Sequence, residues 1–218
     1  MPELVTIPIA IFEITVEYAR PVMRLLMDRK DVVDSLFERF KPWNIKVDDL
    51  EVISTGKPSE QGIKFKLPTK RTSFFFGAAS CTLTRDDADW ESAEETIRIL
   101  DIGISTLKAS GGVEVGAYKT AIALHLQPKS LQFIELLKPF ASAPLTSLDS
   151  SPIKAIAAVI KWEKRRVTID GSGQLANGVF LKFEREFKST ETYDEIAVQL
   201  KTDEDQLFDL IGVREDRP

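Results

Sequence analysis

Between Arg71 and Gln127 the spacing of apolar residues changes twice. Phe74 and Phe76 alternate with their neighbours. Ala93, Ile97, Leu100, Ile104 and Leu107 then step by four, three, four and three. Tyr118, Ile122, Leu124 and Leu126 alternate again. A period of two belongs to a strand and a period near 3.6 to a helix. The stretch therefore predicts a long strand over 71–85, a helix over about 91–110 and a second long strand over 113–127. Ser92 and Glu95 have capping-box spacing, and Gly111-Gly112 supplies a left-handed stop. In the first strand Thr72, Phe74, Phe76 and Thr82 share one face, with Phe75, Cys81 and Leu83 on the other. Apolar groups on both sides predict a central strand, with Gly77 at a bend or bulge.

The flanking chain extends this pattern. Residues 7–18 read as a strand with Phe12, Ile14, Val16 and Tyr18 on one face, and Pro8 near its start. Residues 20–41 have helical spacing, with a break near Arg29–Lys30, Asp31 as a cap and Pro42 as the stop. Strands are expected over 45–54 and 61–67. A short helix capped by Ser130 is expected over 130–140. A strand over about 156–170 and another over 179–187 flank the loop 171–178. A helix starts near Tyr193, a further helical turn opens at Thr202–Asp205, Gly212 ends it, and 213–218 should fray. The order predicts an α+β fold: a mostly antiparallel sheet built from meanders, with helices packed on one face. We expect one compact domain over 1–218. The small, polar, proline-flanked segment 141–152 is where it would divide, into 1–140 and 153–218.

Composition narrows the function classes. The chain has 218 residues, 43% hydrophobic and 29% charged, with a net charge of −5. That balance suits a folded protein, and the net charge argues against a nucleic-acid partner. Cys81 is the only cysteine, so no disulfide and no cysteine-based zinc site can form within one chain. A reducing compartment follows, and the cytoplasm is the expected location. No apolar run reaches the length of a membrane span, so no membrane partner is expected.

Few residues carry chemistry. His125 is the only histidine. Paired with Cys81 it could make a thiolate nucleophile, if the two strands are adjacent and the residues share a face, but no oxyanion loop or orienting partner accompanies it. A satisfied histidine and a buried, inert thiol account for both. Carboxylate-based hydrolysis stays open, with no spacing that selects a pair. Ala117, Ala121, Ala123 and His125 form a small-residue face on the 113–127 strand. This face either admits a helix closely or lines a space, and Ala121, Ala123, His125 and Tyr118 are its candidate ligand-binding residues. Asp86, Asp87 and Asp89, with the glutamates beyond, could hold a divalent cation, but carboxylates at a helix N-terminus explain them. Asp203, Glu204 and Asp205 read the same way. The loop after Asp170 lacks the glutamate that a calcium loop requires twelve positions on, where Leu181 stands. No metal and no cofactor are expected. The basic run Lys161-Trp162-Glu163-Lys164-Arg165-Arg166 is the best polyanion patch, with Trp162 able to stack on a base, yet interleaved glutamates fit cross-strand ion pairs.

Two regions resemble a sporadically distributed family of bacterial α+β proteins without an assigned activity. One is Ala93–Leu126, with its strand Val113 to Leu124. The other is Val179–Phe187, followed by the helical turns containing Leu207-Phe208 and Leu210-Ile211-Gly212. The resemblance implies a bacterial source and a compact α+β fold, and no reaction or site.

Three functions follow in order. The first is a non-enzymatic module that binds another protein, or itself through a sheet edge. The second is a small-molecule binding module using the Ala117, Ala121, Ala123 and His125 face. The third is a hydrolase with a Cys81–His125 pair.

Overall fold

The structure, a computed structural model, describes residues 2–54, 56–89, 93–140 and 156–216. These form an α+β fold with ten strands in an antiparallel sheet, apart from one parallel pair, and five α-helices. The chain divides into two compact units. One comprises Met1–Ala10, Ala121–Arg185 and Asp194–Pro218; the other comprises Ile11–Thr120 and Glu186–Tyr193. The divisions fall within β1 (Glu3–Tyr18), β6 (Val115–Pro128) and β9 (Val179–Lys188). The segment 141–152 lies outside the described residues.

In the second unit β2 (Leu50–Ile53), β3 (Gly62–Leu67), β4 (Thr72–Gly77) and β5 (Ser80–Asp86) form an antiparallel meander that ends against β1. The single strand expected over 71–85 is thus a hairpin, turning at Ala78–Ala79. Phe76 lies opposite Cys81 and Phe74 opposite Leu83. Directly opposed residues in an antiparallel pair share a face. Cys81 and Leu83 therefore join Phe74 and Phe76, the reverse of what alternation along one strand gives. Leu50, Phe65, Phe74, Leu83 and Ile14 form one row across the strands, and Val52, Ile63, Phe76, Cys81 and Val16 the next. Eight of these ten are buried. Leu50 is half-buried and Val52 exposed, because β2 is the terminal strand. The opposite face, with Lys64, Ser73, Thr82 and Thr84, is half-exposed, so one side carries the core. The expected strand over 45–54 shrinks to β2, and Val47–Asp49 makes a 3-10 turn before it.

Helices α1 (Arg24–Met27), α2 (Lys30–Phe40) and α3 (Ala93–Thr106) belong to this unit. The break near Arg29 falls where the spacing places it, although Arg29, not Asp31, occupies the cap position. Val32, Leu36 and Phe40 are buried at four-residue steps. The Phe40 ring meets Phe65 and Phe74 edge-on at 5.7 and 5.8 Å. In α3 the buried stripe is broader than expected and includes Thr96, Ile99 and Gly103. Gly103 admits the Phe74 ring: a Cβ there would lie 2.5 Å from its Cε2. A π turn over Leu107–Gly111 follows, closed by Gly112 at φ 72°. Ser92, the expected cap, lies outside the described residues.

In the first unit the strands run β1-β6-β9-β8-β7, with β7 (Ala158–Trp162) terminal and β8 (Arg165–Gly171) beside β9. The strand expected over 156–170 is again a hairpin, turning at Glu163–Lys164. Residues expected to fray include β10 (Val213–Glu215), which pairs in parallel with Glu3–Val5. Pro8 lies between that pairing and the β5 pairing, which starts at Ile11, so its missing N–H falls outside both.

Helix α4 (Phe133–Leu137) is started by a distant side chain and not by Ser130: the Phe133 N–H donates to Asn177 Oδ1 at 2.7 Å. Leu136 and Leu137 are buried, whereas Leu131 is exposed. Helix α5 (Tyr193–Ile211) runs unbroken through Thr202–Asp205, where the sequence suggested a new start. Ile196, Leu200, Asp203, Leu207 and Ile211 form its buried stripe. Leu207 shares a gap of only about 10 Å³ with Leu124, Leu181 and Phe183, so α5 packs closely on β6 and β9.

Candidate functional site

The strand β6 has two unequal faces, as its sequence predicts. Tyr118, Thr120, Leu124 and Leu126 are buried, while Ala117, Ala121 and Ala123 are half-buried. Of the expected ligand-binding residues, Tyr118 lies on the bulky face, where its ring meets Tyr193 edge-on at 5.9 Å. Ala117 and Tyr118 belong to the second unit. Ala121, Ala123 and His125 belong to the first. Lys119, on the small-residue face, is held by Glu17 at 2.8 Å and Glu186 at 3.5 Å.

His125 is buried against the Phe180 ring, with centroids 5.0 Å apart. Its Nδ1 lies 2.8 Å from Ser172 Oγ. Burial holds its pKa below the usual imidazole value. One ring nitrogen is thus engaged by the protein itself, and the ring lies against Phe180.

Cys81 lies in the second unit and is fully buried. Burial pushes its thiol up to about 12. Burial likewise raises the Tyr18 hydroxyl above its usual value. These surroundings oppose the thiolate that nucleophilic chemistry requires. The place of Cys81 beside Val16 had no signal in the sequence, because it depends on the β1–β5 register that sets the two opposite.

Among the described residues no three His, Cys, Asp or Glu side chains converge as metal ligands. In the acidic cluster, Asp87 is paired with Arg71. The loop after Asp170 is a hairpin connection, with Gly171 opposite Val179.

The basic run occupies the tip of the β7–β8 hairpin, with all six residues exposed. Arg166 reaches Glu184 at 3.6 Å, a cross-strand pair of the expected kind. Arg165 instead turns to α5, where Asp203 gathers three donors. Arg185 Nη1 donates to its Oδ2 at 2.6 Å, and Arg165 Nη1 and Gln199 Nε2 to its Oδ1 at 3.3 Å each. The Asp203 side chain is 1% exposed. Reading Asp203 as a helix-start carboxylate is therefore corrected: it is a mid-helix acid that clamps α5 to β8 and β9.

Two exposed apolar side chains stand on β7. Val159 is 54% exposed and Trp162 53%. They differ in parity and so lie on opposite faces of the strand. Trp162 shares its face with Arg165 and Arg185, and Val159 with Thr168 and Lys182. The other terminal strand, β2, has four residues, and its Glu51 is tied to Lys66 at 2.9 Å.

No protein-family model matches this chain, and no curated protein matches it.

Proposed function

We propose that the protein is a non-enzymatic module that associates with a second copy of itself through the β7 edge. The observation that carries this reading is a terminal strand with exposed apolar side chains, Val159 and Trp162, on both of its faces. A terminal strand presents unpaired N–H and C=O groups that another strand can meet. A second copy suits this edge because antiparallel pairing about a two-fold axis uses the same patch on both partners. Centred on Ile160, such pairing sets Trp162 of one copy across from Ala158 of the other, a large residue against a small one.

The competing readings have weaker support. His125 already spends its Nδ1 on Ser172, and its ring lies against Phe180. Cys81 is buried as a thiol. Five residues of strand make a small contact, so the association is weak and concentration-dependent. Light scattering over a concentration series tests it: the mean mass should rise with concentration, and a mass fixed at one chain would refute it.

A further inference from the structure

The loop 171–178 is organised around one oxygen. Ser172 Oγ accepts the backbone N–H of Gln174 at 3.1 Å and of Leu175 at 3.0 Å. A serine hydroxyl has two acceptor sites and one donor. With both acceptor sites taken, the O–H is what remains for the contact of 2.8 Å to His125 Nδ1. His125 must therefore accept at Nδ1, which places its proton on Nε2 and makes the imidazole neutral. The same loop holds α4. Asn177 Oδ1 accepts the Phe133 N–H at 2.7 Å, and Asn177 Nδ2 donates to the Leu131 carbonyl at 3.2 Å. Gly171 lies against the Phe133 ring, where a Cβ would come within 3.2 Å.

We propose that Ser172 and His125 form an acid-released latch: protonating Nδ1 ends the bond that anchors the loop and, through Asn177, the start of α4. An imidazolium would point a third donor at an oxygen whose acceptor sites are full. Burial already disfavours the cation. Asp170, Lys182 and Glu184 stand on the neighbouring strands β8 and β9, and Lys129, just past β6, is paired with Asp216. Asp170, opposite Phe180, accepts the Gly171 N–H at 2.7 Å. Lys182 is paired with Glu184 at 3.0 Å. On β6 itself, Lys119 is occupied by Glu17 and Glu186. None of them contributes to the shift at His125, for which burial alone is responsible. The latch is independent of β7 pairing.

The test uses the whole chain and nuclear magnetic resonance. At pH 7.5 the imidazole nitrogen shifts should report the Nε2–H tautomer, a reading that needs no variant. On acidification the amides of Gln174, Leu175 and Phe133 should shift together with His125, with a midpoint below about 6.5, the ordinary imidazole value. In His125→Gln, which keeps an acceptor but cannot titrate, these amides should stay still over that range. An Nδ1–H tautomer at pH 7.5, loop amides that ignore the His125 titration, or equal movement in His125→Gln would each overturn the latch.

Discussion

Asp203 Oδ2 accepts a hydrogen bond from Arg185 Nη1 at 2.6 Å, joining the middle of α5 to β9. The carboxylate is almost wholly enclosed, so its charge depends on Arg185 and Arg165 for compensation. Removing one partner of a buried pair costs about 3–5 kcal/mol. Asp203→Ala should destabilise the protein by roughly that amount, as read from the midpoint of urea unfolding. Arg165→Ala should cost less, because Arg165 is 41% exposed against 17% for Arg185.

That clamp was within reach of the sequence. Ile196, Leu200, Asp203, Leu207 and Ile211 step by four, three, four and four, which places an acid inside an apolar stripe. Arg185 breaks the apolar face of Val179, Leu181, Phe183 and Phe187. Opposite charges intruding on two buried faces are a pairing signal. The run Thr202–Asp205 hid it by resembling a helix start.

Gly103 and Phe74 should show a coupled penalty. Alanine normally gains about 1 kcal/mol over glycine inside a helix. At Gly103 the new Cβ would press on the Phe74 ring, and overpacking costs about 1–3 kcal/mol. Gly103→Ala should therefore destabilise. Combining it with Phe74→Leu should cost less than the sum of the single changes, as thermal unfolding of the four proteins would show.

Cys81 should resist modification. Its thiol is buried, and burial pushes it up to about 12, so an aromatic disulfide reagent at pH 8 should find almost no thiolate. In the native protein labelling should proceed no faster than unfolding, and in denaturant it should be immediate. Rapid native labelling would contradict the packing of β4, β5 and β1 around this residue.

Glu3 should make part of the stability acid-sensitive. Its Oε1 accepts the backbone N–H of Ser130 at 2.6 Å and of Leu131 at 3.0 Å. These bonds hold its pKa below the ordinary 4.5. A group whose pKa is lower in the folded state stabilises above its unfolded pKa, and loses that contribution as pH falls through the folded one. The destabilisation caused by Glu3→Ala should thus be full at pH 6–7 and shrink below about 4.5. An effect constant from pH 7 to 3 would contradict the assignment.

Strand type and the antiparallel class were legible because alternation is local. The two hairpins were not. Phe74 to Leu83 alternates acceptably as one strand, and so does Ile156 to Asp170, until a turn resets the parity. Ala78–Ala79 and Glu163–Lys164 lack the Asn-Gly or Gly-x signature that marks a two-residue turn. The reset moved Cys81 onto the face of Phe74 and Phe76, and it put the basic run at a hairpin tip. At the β6 face, His125 was visible as the lone imidazole. Its partner Ser172 was not, since it lies 47 residues away across a loop.

Sedimentation equilibrium on the wild type beside Val159→Lys and Trp162→Glu tests self-association most directly. Charges on both faces of β7 should oppose edge pairing, while the exposure of both positions should leave the fold intact. The wild type should show a reversible monomer–dimer equilibrium, with each variant shifted at least tenfold towards monomer, about 1.4 kcal/mol. A wild type that stays monomeric at millimolar concentration, or variants that dimerise as well as the wild type, would contradict it.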